Sequence, residues 1–195
     1  MDQRVTELHC IMPMSNIASV AMHGLLSYER VAALPHDSVA MQPVQDRRDK
    51  KEVPGGLRLH QYANLYFHAR NPMLFKRLNE ASSLTVLSVS IEVLRLPGTV
   101  ISDQNAASDY ARFLSPDQWQ LLDFDAIYAS NWKHPEDQIA EWRHKSRKCA
   151  EVLVPHRIES QFLRGAYVID TDAQQRLVGL GFGLPVTVTP QLFFR

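Results

Sequence analysis

A chain of 195 residues can bury one sizeable core but not two independent ones. Hydrophobic residues make up 45% and charged residues 22%, which excludes a disordered polyelectrolyte. The 21 Lys and Arg balance the 21 Asp and Glu, so no global field draws in a polyanion, and any such partner must be met by a local patch.

The first residues, "MDQRVTELHC", lack the apolar stretch of a signal peptide, and no later run is long enough to cross a bilayer. Cys10 and Cys149 lie far apart and outside any CxxC or Cys/His array. The expectation is a cytoplasmic protein in a reducing compartment, with no metal and no membrane partner.

"TELHCIM" predicts a short strand. "SNIASVAMHGLL" predicts a helix capped by Ser15, with Ile17, Val20 and Ala21 on one face and Gly24 at its end. Residues 27–58 show little periodicity and contain Pro35, Pro43, Pro54, Gly55 and Gly56, which predicts a long loop with room for one helical turn. Loops of that length are usually functional or disordered. "ANLYFHA" predicts a strand, and "PMLFKRLNEAS" a helix with Pro72 in its first turn. "LTVLSVSIEVL" has the alternation of a half-buried strand, and "GTVIS" predicts another. Asp103 to Phe113 predicts a capped helix, and "PDQWQLLDFDAIYAS" a helix followed by irregular chain. "PEDQIAEWRHKSRKCA" predicts a charged helix, and "EVLVP" a strand, followed by "ESQFLRGAYVID" and "GLPVTVTPQLFF". Without a regular βαβ rhythm, the fold class is α+β with a largely antiparallel sheet, over a single domain spanning 1–195.

No GxGxxG, P-loop, HExxH or GxSxG pattern is present. Three groups can carry chemistry. Glu151 stands between the cations Arg143, His144, Lys145, Arg147 and Lys148 and the apolar Val152-Leu153-Val154. It is either a solvated edge glutamate or an acid that serves as a general base or steadies positive charge. The cations are either a wet helix face or a phosphate patch. In "QDRRDKKEVPGG", Arg47 and Arg48 either decorate a surface loop or clamp a phosphate. In "HQYANLYFHARNPMLF", Tyr62, Tyr66 and Phe67 alternate with His60, His68 and Arg70. That pattern suits a strand with one wet face, or stacking of single-stranded bases worth about 1–3 kcal/mol each. His9 is either a satisfied core histidine or a partner for a ribose hydroxyl.

Taken in order, four segments resemble the DarT toxins, DNA ADP-ribosyltransferases of the ADP-ribosyltransferase superfamily. They are "LHCIMPMSNIASVAMHGLL", "RRDKKEVPGGLRLHQYANLYFHARNPML", "VISDQNAAS" and "KCAEVLVP". The resemblance implies two packed, mainly antiparallel sheets with flanking helices. It implies NAD as the substrate that donates ADP-ribose, and a thymidine or guanosine base of single-stranded DNA as acceptor. It implies a toxin of a toxin–antitoxin system, opposed by a macrodomain-type ADP-ribosylglycohydrolase. By matched position, Glu151 would be catalytic and Arg47 would contact the NAD phosphates, with Arg48 as the alternative register. His9, Ile11 and Asn16 would line the NAD site. Tyr66, Arg70 and Met73 would line the acceptor side, and Arg147 would meet the nucleic acid.

Two positions depart from the family pattern. Ile11 stands where members often carry threonine, and it cannot donate a hydrogen bond. Asn71 stands where the segment usually reads Arg-Ser-Pro-Met. Transfer to RNA or protein, and a nucleic-acid-binding module without catalysis, remain as alternatives.

Overall fold

The computed structural model describes residues 2–195. The strands are β1 (Leu8–Pro13), β2 (Leu25–Leu26), β3 (Tyr62–Tyr66), β4 (Leu84–Val89), β5 (Val100–Ser102), β6 (Phe113–Leu114), β7 (Glu151–Pro155), β8 (Arg157–Ile158), β9 (Leu163–Val168) and β10 (Val186–Val188). The helices are α1 (Ile17–His23), α2 (Tyr28–Val31), α3 (Gln42–Asp49), α4 (Pro72–Phe75), α5 (Phe124–Tyr128), α6 (Gln138–Arg147) and α7 (Thr171–Gly179). None is long and apolar enough to cross a membrane among the described residues.

Eight strands form one sheet in the order β10-β9-β4-β1-β3-β7-β5-β6, and β2 pairs with β8 in a small second sheet. Only β9 and β10 run parallel. The large sheet is two leaves joined by one residue pair, His9 with Tyr66. By contrast β1 and β4 share six pairs, and β3 and β7 share five. The predicted α+β fold of mainly antiparallel strands with flanking helices is therefore the observed one. Its two layers are leaves of a sheet that nearly parts at the β1–β3 seam. Across that seam Ser88, His9, Tyr66, Glu151 and Ser102 are successive cross-strand partners.

The six residues of β4 are all buried, although their alternation predicts one wet face. The polar members are absorbed by hydrogen bonds: Thr85 donates to the Tyr167 carbonyl at 3.3 Å, and Ser88 donates to the Glu7 carboxylate. Most apolar side chains of both leaves belong to one core. A smaller cluster of Val53, Leu59, Tyr62, Ala106 and Leu153 fastens the segment after α3 onto β7. Gly24 closes α1 with φ near 75°, where a β-carbon would lie 2.2 Å from the Ile158 carbonyl oxygen.

Several predicted elements differ. The long loop contains α2 and the eight-residue α3, because Pro43 sits in the first turn of α3 where its missing N–H costs nothing. Residues 103–113 fold as a turn and short strand rather than a helix. Asn105 accepts from its own loop at Ala107 N, and Asp103 pairs with Arg112 at 2.7 Å, offering the backbone partners that a helix would have supplied. Ser15 does not cap α1. Its hydroxyl donates to Asp37 at 2.6 Å. The predicted helix from Pro72 breaks after α4 into a 3-10 turn at Leu78–Ser83. The segment Thr171–Gly179, given no element by the sequence reading, forms α7 with Asp170 as its cap.

Candidate active site

Glu151 opens β7, with Tyr66 of β3 and Ser102 of β5 opposite it. The residue is 1% exposed. A carboxylate so deprived of water needs charge and hydrogen bonds to remain ionised. Both are provided: Arg48 Nη1 reaches Oε2 at 3.0 Å and Oε1 at 3.3 Å, and the Ala106 N–H donates to Oε1 at 2.9 Å. The cation thus comes from α3 and the amide from the turn after β5, so two distant loops meet on one acid.

Residues around the pair hold those loops. His60 stacks on Tyr28 with ring centroids 4.3 Å apart and bonds Gln45 at 3.0 Å, bracing the side of α3. Lys51 reaches from just past α3 to the Ser108 carbonyl and lies 3.3 Å from Asp109, tying the arginine segment to the Ala106 turn. Gly56 lets the chain pass over Tyr62, whose hydroxyl accepts from Leu57 N at 3.1 Å. A β-carbon at Gly56 would fall 2.7 Å from that hydroxyl. Sequence alone assigns Gly55 and Gly56 only a turning role.

Arg48 also faces a cavity of about 190 Å³. Ile11, Asn16, Asp37, Tyr62 and Asn64 contribute to its wall. Asn16 builds part of that wall by clamping Asp37: its amide donates to the Asp37 carbonyl at 2.7 Å, and its Oδ1 accepts from Asp37 N at 3.0 Å. Arg48 therefore both pairs with the buried acid and contributes to the wall of the recess, while Glu151 itself does not line it. Ile11 presents an apolar side to that recess.

The two candidate arginines are placed differently. In the last turn of α3 the two arginines point about 100° apart. Arg48 turns inward and is 7% exposed, while Arg47 remains on the surface. The alternative register, Arg48, is the one that meets Glu151.

The cations preceding Glu151 serve other ends. Lys148 is fully buried and donates to the carbonyls of Ile127 at 3.0 Å and Ala129 at 2.6 Å; burial pushes its ammonium down to about 8. Arg147 pairs with Asp123 at 3.2 Å beside a separate recess that also involves His134 and His144. That recess shares no lining residue with the one at Arg48. His144 and His134 bond each other at 2.9 Å.

Tyr66 lies against the catalytic candidate. Burial, and then the Glu151 charge, push its phenol well above the usual range, so it stays a neutral donor. Arg70 is committed to structure: it donates to the carbonyls of Gln191 at 3.0 Å and Ser130 at 2.7 Å and lies over the Phe194 ring at 4.4 Å. Met73 is half-buried against the main core. Asn71 caps α4, accepting from Met73 N at 3.0 Å and Leu74 N at 3.1 Å. Serine is an equally good capping residue, so the departure at this position preserves the turn.

His9 is not part of the wall at Arg48. Its Nε2 lies 3.2 Å from Glu7, and its Nδ1 is buried without a partner among the described residues. His68 Nδ1 is also buried and unpartnered. Burial, and then Lys148, depress His68 to about 4, which keeps it neutral at pH 7. The rings of His9 and His68 meet edge-on at 6.5 Å. Glu7 and the Ala106 amide went unnoticed in the sequence. A backbone N–H leaves no trace in residue type, and an isolated glutamate before a strand carries no motif.

The fold has counterparts among solved structures. Thermus sp. 2.9 DarT in complex with ADP-ribosylated ssDNA superposes with a TM-score of 0.84 at 22% identity, covering 96% of each chain. Thermosipho africanus DarTG in complex with ADP-ribose gives 0.81 at 23% identity, covering 96% of this chain and 51% of that one. The model of the family described as "ssDNA thymidine ADP-ribosyltransferase, DarT" matches residues 9–194. The chain belongs to the DarT family.

Among curated relatives, a DNA ADP-ribosyl transferase–DNA ADP-ribosyl glycohydrolase fusion protein of Thermosipho africanus (strain H17ap60334) is 25% identical over 201 residues. A DNA ADP-ribosyl transferase of Thermus sp. (strain 2.9) is 28% identical over 162 residues, covering 76% of this chain. The chain spans 50% of the length of the fusion protein and 74% of the Thermus sp. protein.

Proposed function

We propose that the chain transfers ADP-ribose from NAD to a base of single-stranded DNA and releases nicotinamide, a pentosyl transfer. The observation that carries this is the Glu151 site: a dry acid fixed by Arg48 and the Ala106 amide, with Arg48 also lining a recess. The family match supports the reaction, and Thermus sp. 2.9 DarT has been seen with NAD+ and with ADP-ribosylated ssDNA.

In this reading Glu151 accepts a hydrogen bond from the ribose hydroxyl and faces the positive charge that grows on the sugar as nicotinamide departs. Its attraction is stronger in the transition state than in the ground state, which is the condition for catalysis. The same carboxylate takes the proton from the attacking base nitrogen, an effect typically worth about 10²–10⁴ in rate. Arg48, which lines the recess, binds the NAD phosphates. Asn16 and Ile11 shape that recess, and the bare Nδ1 of His9 is an acceptor suited to a ribose hydroxyl. Tyr66 is placed to touch the acceptor base. Arg70 and Arg147 meet the strand only by giving up their present carbonyl and carboxylate partners.

The family description makes thymidine the first choice of base, with guanosine the alternative. We further propose action in the cytoplasm as a toxin opposed by a macrodomain-type glycohydrolase. The fusion relative supports that pairing by joining a transferase and a glycohydrolase in one chain. The test is mass spectrometry of oligonucleotides in which thymidine or guanosine is the sole such base, with matched RNA, after incubation with NAD. A mass gain of one ADP-ribose on DNA, lost in Glu151→Gln, is expected. Gain on RNA alone, or an active Glu151→Gln, refutes the assignment.

A further inference from the structure

Glu7 precedes β1, two residues before His9, and lies where three strands converge. Its Oε1 accepts from Tyr167 Oη at 2.7 Å and from His9 Nε2 at 3.2 Å, and its Oε2 accepts from the Ser88 hydroxyl. Ser88 is the cross-strand partner of His9 on β4, and Tyr167 lies on β9. Burial opposes the charge on Glu7, but the hydrogen bonds from His9, Ser88 and Tyr167 prevail and hold it down at about 2.

An ionised carboxylate only accepts. The His9 nitrogen facing it must therefore carry a proton, and a ring that holds one proton then has a bare Nδ1. That Nδ1 is buried and has no partner among the described residues. The imidazole is 93% buried at the residue level, being 7% exposed, so bulk water does not relieve it. A bare buried acceptor of this kind is unfavourable unless a ligand supplies a donor.

We propose that Glu7 is a positioning residue that locks His9 in the Nε2–H tautomer, so that its Nδ1 accepts a hydroxyl of the NAD ribose. This deepens the NAD assignment and rests on it for the ligand, though the tautomer lock itself does not. The lock confers selectivity: Nδ1 in this state accepts from a hydroxyl and repels another acceptor. A purely structural cluster would only need its three donors satisfied, and it would be indifferent to which nitrogen of His9 is bare.

The test combines nitrogen-15 spectra of the histidines at pH 8 with NAD titration calorimetry. His9 in the wild type is expected as the Nε2–H tautomer. Glu7→Met removes the acceptor, so His9 is expected to become a tautomer mixture and NAD affinity to fall at least tenfold. Glu7→Gln, which can still present an oxygen to Nε2, is expected to recover most of both. Ser88→Ala with Tyr167→Phe disturbs the cluster but leaves Glu7 facing His9, and is expected to keep NAD affinity within about threefold. An Nδ1–H tautomer in the wild type overturns the proposal. So does a Glu7→Met protein that binds NAD normally, or an equal loss in the Ser88/Tyr167 variant. If the wild type binds no NAD, the functional reading fails instead, while the spectra still decide the tautomer.

Discussion

Replacing Arg48 by methionine would leave Glu151 buried beside a single amide donor. The guanidinium lies 3.0 Å from Oε2, and the two side chains are 8% and 2% exposed, so water cannot substitute for it. Removing one partner of such a pair costs about 3–5 kcal/mol. For a chain of this size each kcal/mol lowers Tm by about 2–4 °C, which gives a fall of roughly 6–20 °C. Arg47→Met alters an exposed side chain and should stay within about 0.5 kcal/mol of the wild type. Arg48→Met combined with Glu151→Gln removes both charges and should recover most of the loss, so the double-mutant cycle reports a coupling of several kcal/mol. The assay is thermal and urea unfolding at pH 7, with NAD calorimetry on the same samples. Binding should weaken in Arg48→Met and persist in Arg47→Met. An Arg48→Met protein melting within about 2 °C of the wild type, or an equal effect from Arg47→Met, would show that the pair does not hold the acid.

Three other outcomes are expected. His68 is depressed from 6.5 to about 4 in the fold, so the unfolded chain binds the extra proton between those values. Stability is full above pH 6.5 and is lost as pH falls towards 4, by about 2 kcal/mol at pH 5, and His68→Phe should flatten that part of a urea-unfolding pH series. Asn71→Ala should cost about 1–2 kcal/mol in urea unfolding through loss of the α4 cap, whereas Asn71→Ser should retain most of it. Arg70→Ala should lower Tm as well as oligonucleotide affinity, because two carbonyls and the Phe194 ring lose their partner; a loss of affinity alone would mean that Arg70 turns outward in solution.

The strands that build the site were legible because their patterns are local. "TELHCIM", "ANLYFHA" and "EVLVP" are rich in β-branched, aromatic or other apolar residues, and each overlaps a strand of the large sheet. The glutamate was legible as an acid at the head of one of them. What was not legible is relational. Choosing Arg48 over Arg47 requires knowing which side of α3 faces β7, and the short, strongly polar helix Gln42–Asp49 shows no apolar stripe to reveal it. The turn at 103–113 read as a helix because Ala106, Ala107 and a leading Asp imitate a capped helical start. Besides the local bonds of Asn105 and Asp103, the turn is held by hydrogen bonds to Ser146 and Glu151, which are distant in sequence and leave no local pattern.

A buried glutamate in an ion pair is also what a purely structural glutamate looks like, so burial alone does not separate the two roles. The distinction lies in what surrounds the cation. A structural pair is sealed on every side, since its worth depends on keeping water out. Here Arg48 pairs with Glu151 and also stands among the residues that wall the recess, with Ile11, Asn16 and Asn64. Across the seam, His9 has a ring nitrogen without a partner, which a sealed core would not tolerate for stability's sake. These two features, on adjacent leaves that meet at the pair His9–Tyr66, are the grounds for proposing a site at the seam rather than a joint. In the proposed reaction the acid is dry and prealigned before substrate arrives, so little reorganisation remains for the moment when charge appears on the sugar.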